Sequence, residues 1–76
     1  MQIFVKSLDG DTYTIKICRK EDISSLKSKF YDIAGIYPSA QKLVFKGRSL
    51  VDYKTLEEFG ITENSIIYFM LRLPGG

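Results

Sequence analysis

Histidine is absent from this chain of 76 residues, and cysteine occurs once, as Cys18. Without histidine the chain lacks the commonest general base and metal ligand, so Ser/His/Asp and Cys/His catalytic arrangements cannot form. One cysteine builds neither an intrachain disulfide nor a thiolate zinc site. Glycine-rich phosphate loops are missing too, and the acidic residues are scattered. We therefore predict a protein that is not an enzyme and binds no metal or cofactor.

Long hydrophobic runs and a strong charge of one sign are also missing. No charged start leads into the apolar stretch of a signal peptide, and no apolar run is long enough to span a bilayer. The net charge is only +2, with both signs interspersed. Such a balance gives no electrostatic footprint for nucleic acid or anionic membrane. We expect one small monomeric domain, located in the cytoplasm and nucleus because a lone cysteine fits a reducing compartment.

What the sequence does contain is a clear order of secondary-structure signals. Apolar and polar residues alternate in several segments, which predicts half-buried strands. Asp9-Gly10 predicts a hairpin turn, and a single helical turn closed by Gly60 is predicted over residues 56–59. The strands are predicted at residues 1–6, 12–17, 41–45, 49–50 and 65–72.

One helix is predicted between the two pairs of strands. Asp22 can accept amide hydrogens of its first turn, and Gly35 is the expected left-handed stop. The last strand is apolar on both faces, which favours a central place beside the first strand and parallel to it. We predict an α+β fold, a ββαββ β-grasp with one helix packed across a mixed sheet. The predicted helix stripe is Ile23, Leu26, Phe30 and Ile33, and the predicted inward residues of the last strand are Ile67, Phe69 and Leu71.

The outward sheet face should be polar, but four of its predicted residues are not. Val44, Tyr68 and Met70 alternate outward, and Leu8 at the hairpin can lean towards them. Lys42 and Lys46 flank Val44, and such apolar patches on small proteins mark partner sites. The alternative is that single exposed apolar residues are normal. Phe4 is outward on the first strand. Two interpretations of Phe4 stay open, a second contact with a partner and an aromatic residue that is exposed only incidentally.

The chain closes on Leu71-Arg72-Leu73-Pro74-Gly75-Gly76. Two glycines carry no side chains, so their carboxylate can pass through a narrow channel and is unhindered for attack once activated. A merely frayed end is the plain alternative. We divide the chain into a folded domain, residues 1–72, and a flexible tail, residues 73–76.

The chain resembles ubiquitin along its whole length without a gap, and several segments carry this resemblance. They are Met1-Gln2-Ile3-Phe4-Val5-Lys6, Gly35-Ile36 with Pro38, Gln41 with Leu43 and Phe45, and Leu71-Arg72-Leu73 with Gly75-Gly76. The resemblance implies a ubiquitin-like modifier. Its Gly76 carboxylate would be adenylated with ATP by an activating enzyme, held as a thioester, and joined to a target lysine. Arg72 matches the contact with that enzyme. The implied partners are activating, conjugating and ligating enzymes, deconjugating proteases, ubiquitin-binding domains and target lysines.

The resemblance also implies three recognition surfaces. The main one maps onto Leu8, Val44, Gly47, Tyr68 and Met70, with Tyr68 and Met70 replacing the family's histidine and valine. The second maps onto Leu8, Ile36, Leu71 and Leu73, and the third onto Gln2, Phe4 and Thr12.

Departures from the family concern acceptor lysines and the tail. Of its chain-forming lysines, Lys6, Lys27 and Lys29 remain, while Asp11, Ile33, Arg48 and Glu63 stand at the other four positions. A guanidinium stays protonated and is a poor nucleophile, so Arg48 cannot replace a lysine acceptor. We predict that the two most used chain linkages of the family are unavailable here. Pro74 replaces an arginine and removes one amide donor. We expect ordinary ubiquitin-removing proteases to process this tail poorly.

Three classes of function stay open on the sequence alone. The first is a covalent modifier. The second is a non-covalent ubiquitin-like interaction domain of a longer protein, against which a terminus at Gly76 argues. The third is a sulfur carrier with the same fold and tail, against which the apolar outward patch argues.

Overall fold

A computed structural model describes residues 1–72 of the chain. The predicted conjugation tail, residues 73–76 with Leu73, Pro74, Gly75 and Gly76, lies outside the described residues. The elements follow the predicted order, with 3-10 turns at Pro38–Ala40 and Glu57–Phe59. They are β1 Gln2–Ser7, β2 Thr12–Lys16, α1 Ile23–Ala34, β3 Gln41–Phe45, β4 Arg48–Ser49 and β5 Ile66–Leu71.

The five strands form one mixed sheet in the order β2-β1-β5-β3-β4. β5 runs parallel to β1 and antiparallel to β3, which confirms its predicted central place. α1 connects β2, at one edge of the sheet, to β3 on the far side of β5, and it packs over one sheet face. The result is the predicted ubiquitin-like β-grasp.

The core lies between α1 and the inner sheet face. Phe30 of α1 is fully buried and makes edge-to-face contacts with Tyr13 (5.2 Å between ring centroids) and Phe69 (5.0 Å). Edge-to-face aromatic pairs add to the stabilisation that burial alone provides. The buried hydrophobic residues are Ile3, Val5, Ile15, Ile17, Ile23, Leu26, Phe30, Leu43, Phe45, Leu50, Leu56, Ile61, Ile67 and Phe69.

Two predicted core residues are exposed, so those predictions were wrong. Ile33 is 52% exposed because it is rotated by about 60° from Phe30 around the helix, at the margin of the buried stripe and in its last turn. Ala34 is partly buried in its place. Leu71 is 59% exposed because β1 pairs with β5 only as far as Phe69, so no strand covers Leu71 on that side.

Both ends of α1 use the predicted caps. The backbone N–H of Ser25 donates to Asp22 Oδ1 (2.9 Å), as does the hydroxyl of Ser24 (2.7 Å). These two hydrogen bonds, with that from the Ser24 hydroxyl the stronger influence, lower the pKa of Asp22. At the other end Gly35 has φ 75°, a left-handed conformation that favours glycine.

Glu21 is held at the same helix end by its own donors. The Ser25 hydroxyl donates to Glu21 Oε1 (2.6 Å), and the backbone N–H of Cys18 donates to Oε2 (2.8 Å). The Ser25 hydroxyl first, then the Cys18 N–H and the charge of Lys29, lower the pKa of Glu21. Both acids therefore bind protons less readily in the folded than in the unfolded chain.

This helix end should make the fold acid-sensitive. A lowered folded pKa contributes stability that is complete above the unfolded value, near pH 4 to 4.5, and is lost as pH falls through the folded value. We expect the midpoint of thermal unfolding to be steady from neutrality to about pH 5 and to fall below about pH 4. Ser25→Ala should raise the pKa of Glu21 in a carboxyl NMR titration. The matched control is Ser28→Ala, on an exposed position of the same helix, and an equal shift in both variants would contradict the assignment.

Candidate functional site

The outward face of the central strands brings together the predicted patch. In the register of β3 and β5, Val44 lies directly opposite Tyr68, and Met70 is opposite Lys42. Directly opposed residues of antiparallel strands have Cβ atoms about 5 Å apart, so Val44 and Tyr68 are in reach of each other. Tyr68 is 48% exposed, while Val44 and Met70 are half-buried. We call Leu8, Val44, Tyr68 and Met70 the Val44 patch.

Leu8 joins this patch from the hairpin between β1 and β2. It is 76% exposed and lines an open depression of about 400 Å³ together with Met70 and Leu71. Gly47 borders the other side, in the tight turn between β3 and β4 where both Lys46 (φ 51°) and Gly47 (φ 79°) have positive φ. Two successive positive φ values define the hairpin turn that reverses the chain beside Val44.

Basic side chains surround the Val44 patch. Lys6 lies opposite Tyr68 on the β1 side, and Lys42 lies opposite Met70 on the β3 side. The Lys46 ammonium sits 5.4 Å from the centre of the Phe45 ring, a cation–π distance. Within residues 1–72, no ion pair involves Lys6, Lys42 or Lys46. The patch is therefore an apolar centre flanked by Lys6 and Lys42, and Asp9 lines the same depression as Leu8 and Met70.

The second predicted surface is arranged around Gln41, at the start of β3. The Gln41 side chain is buried, and its Nε2 donates to the carbonyl oxygens of Lys27 (2.9 Å) and Ile36 (2.8 Å). Leu71 pairs with Gln41 across the sheet. Gln41 thus places Ile36, half-buried against the core, on one side and the exposed Leu71 on the other.

The third predicted surface lies at the other end of the outward face. Phe4 pairs with Thr14 on β2, and Thr12 pairs with Lys6, the next residue of β1 on the same face as Phe4. Gln2 is the remaining member, and its backbone N–H donates to Glu63 Oε2 (3.0 Å). Phe4 is half-buried and is the only aromatic member of this set.

The three predicted acceptor lysines differ in access. Lys27 is 7% exposed, and its Nζ lies 2.7 Å from Asp52 Oδ1. Lys29 is 4.0 Å from Glu21 Oε1, and Lys6 lies half-buried on the outward face. A buried ammonium held by a carboxylate is poorly placed to attack an acyl carrier, so Lys6 and Lys29 are the accessible members.

Arg72, the predicted activating-enzyme contact, is the last described residue. Its backbone N–H donates to the carbonyl oxygen of Ala40 (2.7 Å), which fixes the exit of β5 beside the start of β3. The Arg72 residue is exposed, so its guanidinium is available to a partner.

Two surface features had no role in the sequence-based predictions. Ile66 is 42% exposed and lies opposite Phe4 in the parallel pair of β1 and β5. On the helix side, Tyr31 and Tyr37 stack with ring centroids 5.3 Å apart. Alternation along the last strand already marks Ile66 as outward, but no local signal in the sequence indicates the tyrosine stack.

Metal and membrane features were sought in residues 1–72. That part of the chain contains no group of three or more His, Cys, Asp or Glu side chains placed to hold a metal ion. Among its helices, none has the length and apolar character needed to cross a bilayer.

Comparison with known proteins agrees with this architecture. The family model described as "Ubiquitin family" matches residues 3–74. The chain is 36% identical over 76 residues to the ubiquitin-like protein NEDD8 of Dictyostelium discoideum, spanning all of this chain and 99% of that relative. It is 32% identical to ubiquitin-like protein 1 of Schizosaccharomyces pombe, spanning 97% of that relative, and 32% identical to rat ubiquitin-like protein 4A, spanning 46% of it. This chain belongs to the ubiquitin family.

Proposed function

We propose that this chain is a ubiquitin-like protein modifier that is joined through Gly76 to lysines of target proteins. The observation that carries the proposal is the Val44 patch, because a small protein exposing an apolar centre with a basic rim presents a surface for partners. Family membership supports it, since the chain spans nearly the whole length of two ubiquitin-like relatives.

The reaction divides between this chain and its enzymes. The Gly76 carboxylate attacks ATP on the activating enzyme, forming an acyl-adenylate and releasing pyrophosphate. An enzyme thiolate then displaces AMP to give a thioester, and a target lysine amine displaces the thiolate to give an isopeptide bond. The chain contributes the acyl group and the surfaces that partners recognise. It has no histidine and needs none, because the enzymes supply the bases and nucleophiles.

The recognition surfaces suit a succession of partners. Arg72, exposed beside the tail, is proposed as the contact with the activating enzyme. The Val44 patch is proposed to bind conjugating and ligating enzymes, deconjugating proteases and ubiquitin-binding domains in turn. Because these partners act inside cells, we propose that the modifier works in the cytoplasm and nucleus.

A thioester assay tests this function. The chain is incubated with ATP and a ubiquitin-family activating enzyme, then separated by electrophoresis with and without reducing agent. The expected result is an ATP-dependent adduct that the reducing agent removes, followed by transfer to protein amines. Capture of sulfide in place of amines would indicate a sulfur carrier instead. Absence of any adduct, with several activating enzymes tried, would contradict the modifier.

A non-covalent interaction domain is the second candidate function. The chain spans 46% of rat ubiquitin-like protein 4A and 20% of a probable ubiquitin receptor RAD23 of rice, to which it is 36% identical over 79 residues. Domains of this family thus occur inside longer proteins. Partner binding by the Val44 patch without any thioester would favour this candidate.

Pro74 is expected to slow removal of the modifier. A protease that clamps the tail through strand-like hydrogen bonds loses one amide donor and one cationic contact at this position. At about 1 kcal/mol for a hydrogen bond and more for a charged one, cleavage should be about tenfold slower or worse. The measurement compares a fluorogenic ester at Gly76 in the natural chain and in Pro74→Arg. Equal rates with a ubiquitin-removing protease would contradict the expectation.

A further inference from the structure

Tyr31 and Tyr37 form an exposed pair of stacked rings at the end of the helix. Their ring centroids are 5.3 Å apart, and the ring planes are inclined by 25°. Tyr31 lies in the last turn of α1, and Tyr37 follows the left-handed turn at Gly35. Tyr31 is 38% exposed and Tyr37 is 67% exposed, so both residues are open to solvent. The chain therefore folds back on the helix and places two oxidisable rings in contact.

Hydrogen bonds hold the backbone on both sides of this stack. The backbone N–H of Gly35 donates to the carbonyl oxygen of Tyr31 (2.8 Å). The buried Gln41 side chain donates through Nε2 to the carbonyl oxygen of Ile36 (2.8 Å), the residue before Tyr37. The two rings therefore stay neighbours, while exposed side chains change rotamer within nanoseconds. Such rotations bring the edges of the two rings together.

Within residues 1–72, no other two tyrosine rings are in contact with each other. Tyr13 packs edge to face on Phe30, whereas Tyr53 and Tyr68 contact no aromatic ring in that range. Tyr53 is 79% exposed, more than either member of the stack. Access alone would make Tyr53 the most reactive tyrosine. Contact between two phenols is what distinguishes the stack.

We propose that the stack of Tyr31 and Tyr37 is a site of oxidative cross-linking, where a haem peroxidase with hydrogen peroxide joins the two rings as dityrosine. Each phenol loses one electron and one proton to the oxidant, and a bond forms between the ring carbons ortho to the two hydroxyls. The hydrogen on each of these carbons then moves to the phenolic oxygen, which restores both aromatic rings. The chain loses two hydrogen atoms in all, and hydrogen peroxide is reduced to two molecules of water. The inference does not depend on conjugation at Gly76.

Proximity favours coupling within one molecule. Two groups joined by a short segment have an effective concentration in the millimolar range. At about 10 µM protein, coupling within a chain is therefore favoured about a hundredfold over coupling between chains. The new bond would fasten the segment that carries Ile36 to α1. Because a cross-link restricts the unfolded chain, the midpoint of thermal unfolding should rise by several degrees.

The test treats the folded chain, in a Cys18→Ser background, with a haem peroxidase and a limiting amount of hydrogen peroxide. The substitution removes an exposed thiol that would compete for the oxidant. Trypsin leaves Tyr31 and Tyr37 together in the peptide of residues 30–42, which has a lysine only at its end. Each of the remaining tyrosines lies in a different tryptic peptide. We expect peptide 30–42 to lose two hydrogen atoms, to gain dityrosine fluorescence and to stay unjoined to any other peptide.

Conservative substitutions separate the stack from general oxidation of tyrosine. Tyr37→Phe keeps an aromatic ring in the stack but removes one phenol, so the yield of the altered peptide should fall about tenfold or more. The matched control is Tyr53→Phe, because Tyr53 is the more exposed residue but has no tyrosine beside it. This control should leave the yield in peptide 30–42 unchanged.

Several results would overturn the proposal. They are dityrosine found only between two different peptides or two chains, an unaltered peptide 30–42 while Tyr53 is oxidised, or an equal yield in Tyr37→Phe. A cross-linked chain that unfolds at a temperature no higher than the untreated chain would show that the bond does not fit the folded geometry. None of these measurements uses ATP or an activating enzyme. A failed thioester assay would therefore contradict the modifier and leave the cross-linking site standing.

Discussion

Deletion of Gly75 and Gly76 is expected to abolish thioester formation with the activating enzyme while leaving the fold of residues 1–72 intact. Removing two residues shortens the reach of the tail by about 7 Å. Reacting atoms must approach within about 3.5 Å, and a misplacement of 1 Å already costs about a hundredfold in rate. The shortened carboxylate should therefore be activated at less than one part in a hundred of the natural rate.

Thermal unfolding provides the control for this deletion. The core that the described residues form runs from Ile3 to Phe69, so the deleted chain should unfold at the same temperature as the natural one. A thioester formed by the deleted chain at the natural yield would show that Gly76 is not the activated residue.

Replacement of Phe30 by alanine is expected to remove most of the stability of the domain. Phe30 is fully buried and contacts Tyr13 and Phe69 edge to face. Truncating a buried phenylalanine costs about 3–5 kcal/mol. A domain of this size has a total of about 4–11 kcal/mol, so the variant should be marginally folded.

Ile33→Ala is the matched control on the same helix. Ile33 is 52% exposed, so its truncation should change the free energy of unfolding by about 0.5 kcal/mol or less. Urea unfolding followed by far-UV circular dichroism measures both variants. A loss of more than about 2 kcal/mol in Ile33→Ala, or of less than about 1 kcal/mol in Phe30→Ala, would contradict the described core.

Local chemistry made most of the fold predictable from the sequence. Asp22 and Gly35 mark the two ends of the helix. Asp22 supplies a hydrogen-bond acceptor for the first turn, and Gly35 adopts the left-handed backbone that ends the last turn. The alternation of Ile3 and Val5 fixed the inner face of the first strand, and the apolar composition of the last strand indicated its central place. These signals act over a few residues and can be read without the tertiary structure.

The wrong or missing predictions all depend on where neighbouring elements end or meet. Ile33 lies at the margin of the buried stripe in the last turn of the helix, and Leu71 lies beyond the last residue of β5 that pairs with β1. Lys27 is buried because Asp52, distant in sequence, provides its counter-ion at 2.7 Å. No residue near Lys27 in the sequence indicates that Asp52 is its partner.

The candidate site also combines features that the local sequence predicts with features that depend on the tertiary structure. The Val44 patch could be predicted because alternation within β3 and β5 is enough to place Val44, Tyr68 and Met70 on one face. The link between that patch and Phe4 could not, because it requires the register of β1 against β5. A shift of one residue in that register would have turned Ile66 away from Phe4.

Mass spectrometry of proteins captured with the tagged chain tests the central claim most directly. Trypsin cleaves after lysine and arginine. Arg72 is the last basic residue of this chain, because position 74 is a proline instead of the arginine of the family. A conjugated lysine should therefore carry the four-residue remnant Leu73-Pro74-Gly75-Gly76 on its amine, and the chain without Gly75 and Gly76 should leave none. The modifier account predicts this remnant on lysines of other proteins. The account would be contradicted if the chain were recovered only in complexes that a denaturant dissociates, with no remnant on any lysine.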